Sequence, residues 1–598
     1  MTAQGLSVSL PMPRLRRRWL PTLGAWVIAA WAVAAQAQAQ VPSQAESASQ
    51  RLDAAARAHP VAFLDRIGWG ADAAQLRQLQ QLGATRLLDA QLQPDPHPVL
   101  PESLQQTLDA LPVNQPLQQF IPPLVAQLRE IRKSRKSASA GTGDDAGAVQ
   151  ARLKALHRQM NALTRQAMAQ QLLLAVYAPD QLQQRLDWFW MNHFNVFHGF
   201  LVGPMLADYQ RRVIAPHALG HFRDLLRATM FSPQMLLYLN NAQNARGHIN
   251  ENYARELMEL HTLGVGSGYT QTDVTRLAHA LTGLGVDLID RPVRVRPVWR
   301  DLVWKRGLVV FNPARHDSSP QVVLGHTLEG DSVDEMDQVI DLLDDDPATA
   351  RHLSFELAQY FVADHPDPAM VAAMVRTWQR SDGDVSAVLR TMFLSPQFAA
   401  SLAEPQFKDP MRYVISTVRA GLAGPRIIRN PQPMIGALAA LGEPLFGRST
   451  PDGYPVGAGA WDGSGAMTTR FRIAQQFGAG APMLFAAEPA FLREDGPLPG
   501  QTQDGMQDGM QQASMQDGMQ DSMQGSMQAP GRSPGLENMA AAVPLQRPRR
   551  RAPDLAHSAV YLAAQPTLSE ATRQALAQAG PRPRWNALWL ASPEFMNQ

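Results

Sequence analysis

The chain has 598 residues and no cysteine, and its 54 lysines and arginines nearly balance 53 aspartates and glutamates, for a formal charge of +1. The missing cysteines exclude disulfides, thiolate catalysis, Cys-ligated zinc and iron–sulfur centres, so stability must come from burial. The charge balance gives no electrostatic reason to expect nucleic acid or an anionic membrane as a partner, and length alone suggests two to four domains.

Residues 1–39 carry no Asp, Glu or Lys. Their only charges are Arg14, Arg16, Arg17 and Arg18, ahead of an apolar run from Trp19 to Ala35 and the small, polar stretch Ala35-Gln36-Ala37-Gln38-Ala39. A basic flank, a short apolar core and an A-x-A site form an export signal, with cleavage expected after Ala39. The apolar run sits at the lower limit for spanning a bilayer, so an uncleaved anchor is the alternative. Cleavage removes four arginines and takes the charge from +1 to −3. Arg16-Arg17-x-Trp19-Leu20 fits a loose twin-arginine pattern, the route for proteins exported folded, although the flanking residues favour the general route. Either route predicts a periplasmic or extracellular protein with no stable membrane span after cleavage.

Beyond the signal the pattern is helical. Apolar residues recur three or four apart in Ala73-Gln75-Leu76-Leu79-Leu82, Leu153-Leu156-Met160-Leu163, Val339-Ile340-Leu342-Leu343 and Leu353-Leu357-Tyr360-Phe361. Between the last two, Asp344-Asp345-Asp346-Pro347 reads as a helix end followed by a new N-terminus. Strand signals are confined to 285–330, in Val293-Arg294-Val295, Leu308-Val309-Val310-Phe311 and Val322-Val323-Leu324. The expected fold class is therefore mainly α, a multi-helical body with a small β-hairpin or extended excursion near 285–330.

A short repeat stands out. Leu225 to Met235 resembles Val388 to Phe398, and both are echoed in Leu588 to Phe595. Each joins an apolar helix end to a Ser-Pro pair suited to be the N-cap and first position of the next helix, a reused helix–helix corner. Residues 134–148 are small and polar and read as a flexible loop separating an N-terminal helical part, 40–133, from the main body, 149–496. Residues 497–553 form a disordered low-complexity insertion, with Met506, Met510, Met515, Met519, Met523 and Met527 among Gln, Asp, Gly and Ser, then a basic Pro/Arg run at 547–553. Helical pattern resumes in 554–598, expected to pack back on the body.

Unusual polar residues concentrate between Trp188 and Gly283. They run through Trp188-Phe189-Trp190-Met191-Asn192-His193-Phe194-Asn195-Val196-Phe197, then Asn250-Glu251-Asn252-Tyr253-Ala254-Arg255-Glu256-Leu257-Met258-Glu259-Leu260-His261-Thr262-Leu263-Gly264, then Gly268-Tyr269-Thr270-Gln271-Thr272-Asp273-Val274 and Leu281-Thr282-Gly283. The central block reads as a helix capped by Asn250 and ended by Gly264, with Arg255 placed between Glu251 and Glu259 at i,i+4 spacing. Thr270 or Thr272 is expected to cap the next helix.

This block, with Phe63-Leu64-Asp65-Arg66-Ile67-Gly68-Trp69-Gly70, Phe311 to Asp317 with Leu324-Gly325, Pro347 to Arg351, Leu441 to Phe446, Pro451-Asp452-Gly453-Tyr454-Pro455 with Trp461, and Ala591-Ser592-Pro593-Glu594-Phe595, resembles the domain-of-unknown-function 1800 (DUF1800) family of exported bacterial proteins. The resemblance covers nearly the whole mature chain and implies no established activity. It implies as partner another exported protein, of a sulfatase-like family. Two departures stand out. Gln321 lies where the family tends to carry a lysine, and Glu356 lies near a position that is often basic, so an anion bound by those residues elsewhere in the family would be held less well here.

The candidate site residues are His193, Glu256, Glu259, His261, His316 and Asp317, because imidazole and carboxylate are the groups a divalent metal or general acid–base chemistry needs. Neither H-E-x-x-H nor E-x-x-H occurs here, and there is no G-x-S-x-G elbow or Walker loop, so a hydrolase-like or metal-dependent reading rests on residue type alone. The competing reading is a buried polar network tying helices together, and it favours a structural or partner-binding role in the cell envelope over an enzyme. The aromatic residues Trp188, Phe189, Trp190, Phe194 and Phe197 read as core before they read as a ligand wall. Thioether capture of Cu(I) by the Met-rich insertion is a further idea, weakened by the lack of nearby His or Cys. N-terminal sequencing of the secreted protein should begin at Gln40; a mature chain still starting within residues 1–39 would overturn the assignment of the cleavage site.

Overall fold

The computed structural model of the chain describes residues 47–95, 98–139, 146–289, 291–424, 426–486 and 552–597. The expected signal peptide, 1–39, and all of the expected insertion except Ala552 and Pro553 lie outside the described residues. Contacts divide the chain after Arg51, and Leu52–Gln598 form one unit in which the helical stretches expected at 40–133, 149–496 and 554–598 all take part from Leu52 onward. No helix among the described residues is long and apolar enough to cross a membrane.

Local chemistry sets the helix starts. Asp72 accepts the N–H groups of Ala74 and Gln75, both at 2.8 Å, and opens the helix Ala73–Leu82. Asp346 accepts from Ala348 at 2.7 Å, with Pro347 as the first residue of Pro347–Phe361, as the acidic junction predicts. The repeated corner is found three times: Ser232 caps Pro233–Tyr238 through Met235, Ser395 caps Pro396–Ser401 through Phe398, and Ser592 caps Pro593–Met596 through Phe595.

The 32-residue helix Ala146–Tyr177 passes through the middle of the unit, with every residue from Ala162 to Leu173 buried. A helix buried on all sides has no polar face, which is why its Arg165, Gln166, Gln170 and Gln171 are buried along with the leucines. Helices Leu117–Ser139 and Ala146–Tyr177 both enter the stretch expected to be a flexible loop at 134–148, leaving 140–145 outside the described residues. Arg135, Lys136 and Ala138 favour helix enough to carry the first of them across the expected boundary.

The β structure is two small antiparallel pieces. Strands β1 (Leu284–Val286), β2 (Trp304–Arg306) and β3 (Val309–Phe311) form a sheet in the order β1-β3-β2, and β4 (Gln321–Val323) pairs with β5 (His326–Leu328) as a hairpin. Val293–Val295, expected as a strand, is irregular, with both valines half-buried and Arg294 exposed, because Pro292 and Pro297 bracket a segment that has no sheet to join. The β4–β5 turn places both Leu324 (φ 50°) and Gly325 (φ 80°) in the left-handed region. Leucine is costly there, and its N–H is held at 2.8 Å by Asp273 Oδ1 from the neighbouring helix.

Helix ends in the interior are satisfied by buried arginines. Arg185, fully buried, donates to the carbonyls of Asp65, Arg66 (2.8 Å) and Gly68 (3.0 Å) at the end of helix Pro60–Ile67. Arg66 does the same for helix Pro347–Phe361 through the carbonyl of Val362 at 2.5 Å, and reaches Ser401 and Glu404 at 3.2 and 3.1 Å. Arg419 donates to the carbonyl of Val176 near the end of the long helix, to that of Gly70 at 2.8 Å, and to Asp72 and Gln75 at 2.6 and 2.7 Å. Exchanging Arg419 for Met strands four acceptors and is expected to cost more than about 3 kcal/mol. Exchanging Arg390, half exposed in its pair with Asp89, is expected to cost under about 1 kcal/mol. Urea unfolding midpoints of the two variants check the contrast.

Candidate functional site

The six sequence candidates do not meet in one place. His193 and His261 come together with His352, which the sequence did not single out, and Glu356, which it marked only as a departure from the family pattern. His193 ends the helix Gln181–His193, and its Nδ1 lies 2.8 Å from Glu356 Oε2 on helix Pro347–Phe361. Its Nε2 lies 3.2 Å from the carbonyl oxygen of His261. Both partners are acceptor oxygens, so each ring nitrogen is turned to one. His352, one turn before Glu356, comes within 3.6 Å of the other carboxylate oxygen. The i,i+4 spacing of His352 and Glu356 on one helix was the signal that could have flagged them.

Burial opposes the charge on Glu356, yet His193 and then His352 hold its carboxyl below the ordinary carboxylate value. His261 is 1% exposed, and both its ring nitrogens lack a hydrogen-bond partner; burial first, and His193 second, push it well below the ordinary imidazole value, leaving it neutral. Phe189, Trp190 and Phe194 pack on the His193 ring with centroids 6.1, 5.5 and 4.7 Å away, so the aromatic cluster lines the histidines as core. Gly264 (φ 87°) lies against His352: a Cβ there would sit 3.0 Å from Nδ1, which leaves room only for glycine.

Glu256 and Glu259 lie on Asn252–Glu259, one residue past the expected cap: Asn250 Oδ1 takes the N–H of Asn252 at 3.0 Å. Arg255 bonds Glu251 (3.1 Å) and Gln271 (3.0 Å) instead of bridging to Glu259. Burial, then Glu259, raises the Glu256 carboxyl, with Asp452 adding to the effect. These two glutamates therefore border Tyr269 and the 448–452 loop. That loop is laid over the Trp188–His198 segment by Asn192, which bonds both the N–H and the carbonyl of Tyr454 (2.6 and 2.8 Å), and by Asn195, which donates to Arg448 and Thr450 (3.0 and 2.8 Å). Gly453 (φ 68°) makes this approach possible: a Cβ would fall 2.3 Å from the Asn192 carbonyl oxygen.

His316 and Asp317 form a separate cluster. Helix Gln271–Ala280 begins with a capping box between Thr270 and Asp273 and presents His279 to Asp317 at 2.6 Å. His316 is buried, with Nδ1 2.9 Å from the Thr282 carbonyl oxygen and Nε2 2.9 Å from Glu335 on helix Glu335–Asp344. Burial opposes its charge, but Glu335 and the Thr282 carbonyl raise it above the ordinary imidazole value. Again both nitrogens face acceptors. Gln321 accepts from Arg276 at 3.4 Å and donates to Ser319 at 2.8 Å.

A cleft of about 470 Å³ lies elsewhere, where the two ends of the unit meet. Asp65 and Lys408, paired at 2.6 Å and both almost fully buried, form its floor. Burial lowers the Lys408 ammonium, offset by Asp65; the same ammonium stands 4.6 Å over the Phe595 ring and 3.3 Å from Ser416. Leu402, Val560, Leu568, Trp589 and Phe595 are apolar walls, and Glu404 and Glu594 add two carboxylates. Glu594 is held ionised by Ser569 and Thr572 against its burial. Sequence reading had Asp65 and Phe595 in its motifs but no cue that Lys408 would meet them.

Residues 62–597 match the family model described as "Protein of unknown function (DUF1800)". No curated protein and no solved structure matches the chain.

The His193–Glu356 pair has a definite pH signature. Because the Glu356 carboxyl is held below its ordinary 4.5, its stabilising contribution is present above that value and is lost as pH falls through the lowered one. Thermal unfolding between pH 6 and 3 should show Glu356→Gln losing less stability than the native chain over that descent. Parallel curves for the two proteins would show that the pair does not couple to folding.

Proposed function

The chain belongs to the DUF1800 family, and on that premise we propose that it is a binding protein exported to the cell envelope, whose site is the cleft floored by Asp65 and Lys408 and not its histidine clusters. The observation that carries this reading is the cleft itself. It has small-ligand dimensions and apolar walls, and its convergent polar groups come from both ends of the sequence.

Its electrostatics point to the kind of group it takes. Lys408 and Asp65 neutralise one another, and Glu404 and Glu594 leave the lining net negative. An apolar chain ending in an ammonium suits such a site: the chain lies along Trp589, Phe595 and Leu568, and the cation faces the carboxylates. On an exported partner, including the sulfatase-like protein that the family resemblance implies, that group is an exposed lysine side chain.

The alternative, hydrolysis at a His/Glu or metal site built from His193, Glu256, Glu259, His261, His316 and Asp317, has less support. A general base needs an imidazole nitrogen free to take a proton from substrate. His193 and His316 have both nitrogens turned to acceptors, and His261 is sealed from solvent. Among the described residues, none of these six belongs to a group of three or more whose ligand atoms lie within 4.8 Å of one another.

Thermal-shift titration tests the binding reading. Hexylammonium should raise the Tm of the full mature protein, hexanoate at equal concentration should not, and Ala403→Trp, at the exposed rim, should abolish the response while leaving the unliganded Tm within a few degrees. Equal responses to both probes, or a response that survives Ala403→Trp, would rule the cleft out as the site.

A further inference from the structure

The corner where helix Glu335–Asp344 gives way to Pro347–Phe361 holds an unusual concentration of like charge. Asp344, at the end of the first helix, and Asp345, just beyond it, face Asp382, which ends the helix Pro368–Ser381. One carboxylate oxygen from each of the three lies within 4.8 Å of the others. Asp345 and Asp382 are exposed, but Asp344 is only 7% exposed. Its Oδ1 is buried and has no hydrogen-bond partner.

That last observation is what solvated surface chemistry does not explain. A buried carboxylate oxygen is expected to find a donor, because leaving it bare costs on the order of 1–3 kcal/mol, and more when it is charged. Here the surroundings make matters worse. Asp341 stands on the same helix, and the nearest cation, Arg223, is committed to it at 2.5 Å. His221 spends its Nδ1 on the main-chain carbonyl of Asp382, at 2.6 Å. Burial, followed by Asp345 and Asp382, pushes the Asp344 carboxyl up to about 7.

The backbone holds this arrangement in place. Asp382 adopts the left-handed conformation (φ 55°), followed by Gly383 at φ 69°, and the turn is tied down by Phe222 N–H on the Gly383 carbonyl and by Val385 N–H on that of Gly220, both at 3.0 Å. On the other side, Thr349 hydroxyl bonds the Leu343 carbonyl at 2.6 Å, fixing the end of the first helix against the start of the second. Three carboxylates are thus presented by two relatively rigid helix ends.

We propose that Asp344, Asp345 and Asp382 bind a divalent cation, calcium in preference to transition metals, which bridges the two helix ends. All-oxygen, all-carboxylate ligation suits hard cations, and calcium tolerates the irregular geometry and the water ligands that such an open corner leaves to it. The cation supplies a partner to the Asp344 carboxylate and converts three mutually repelling charges into a tie between residues nearly forty apart in the chain. The site is separate from the cleft and does not depend on it.

The experiment uses the full mature protein, stripped with chelator, and titrates calcium chloride by isothermal calorimetry, with thermal unfolding as the second readout. The expected result is binding of one calcium per chain and a Tm raised by at least about 2 °C at saturation. Asp382→Asn, at an exposed position, should weaken binding tenfold or more. Asp344→Asn should remove binding and also raise the Tm of the calcium-free protein, since it takes away a buried, unpaired charge. Absence of binding up to millimolar calcium overturns the proposal, as does a Tm response that both variants retain in full. A rise in calcium-free Tm for Asp344→Asn without any calcium binding by the native chain would show a buried charge that no cation relieves, and would overturn it equally.

Discussion

A body made of many short helices, with no cysteine to staple it, has to solve one problem repeatedly: helix C-termini that end in the interior carry carbonyl groups with no partner. Buried arginine is the common answer here. Arg66, Arg185 and Arg419 each place guanidinium N–H groups on the terminal carbonyls of helices that are distant in sequence. A guanidinium suits the task because its donors are fixed in a plane and its charge opposes the negative end of the helix dipole. Burial pulls Arg66 down to about 9 and Arg185 to about 10, which still leaves both charged at neutral pH. The interactions they make offset much of a desolvation cost that runs to several kcal/mol per ion.

The same constraint explains why the chain's two ends are inseparable. Asp65, Arg66 and Asp72, from the first helices of the unit, reach Lys408, Ser401, Glu404 and Arg419 more than 300 residues away. Arg470 extends the network by bonding the Lys408 carbonyl at 2.6 Å and stacking over Phe407 and Tyr413, and Tyr413 in turn donates to the carbonyl of Leu590 at 3.2 Å. The cleft lies on this seam, so its charged floor is not an ornament on a finished fold. It is part of what closes the fold.

Much of this was legible beforehand. Caps and corners are local, so the acidic junction before Pro347 and the three Ser-Pro pairs were read directly from the sequence, and the helical periods at Ala73 to Leu82 and Leu353 to Phe361 fall within the helices Ala73–Leu82 and Pro347–Phe361. The clusters were not legible in the same way. His193 finds Glu356 163 residues away, and Lys408 finds Asp65 343 away, and no spacing rule connects such pairs. Residue type alone does not show that the candidates His193, His261, His316 and Asp317 are distributed by the fold between two helix junctions. Val293–Val295 failed for a different reason, since its alternation is real but prolines deny it a ladder.

The densest sequence signature in this chain marks places where backbones approach. Gly453 lets the 448–454 loop lie on Asn192, Gly264 lets a turn lie on His352, and Gly70 (φ 120°) packs where a Cβ would stand 2.6 Å from that of Ser416. His193 and His316 serve the same end, each set between a carboxylate and a main-chain carbonyl. When signature residues are explained by assembly, specificity has to reside in what the assembly encloses. The largest apolar side chains that the seam leaves facing open space are Trp589, Phe595 and Leu402, around a buried ion pair that already satisfies itself. The space is an open cleft of about 470 Å³ and not a void in the core, so solvent fills it at no packing cost. That its lining pairs apolar walls with two further carboxylates is the physical argument for looking there for function.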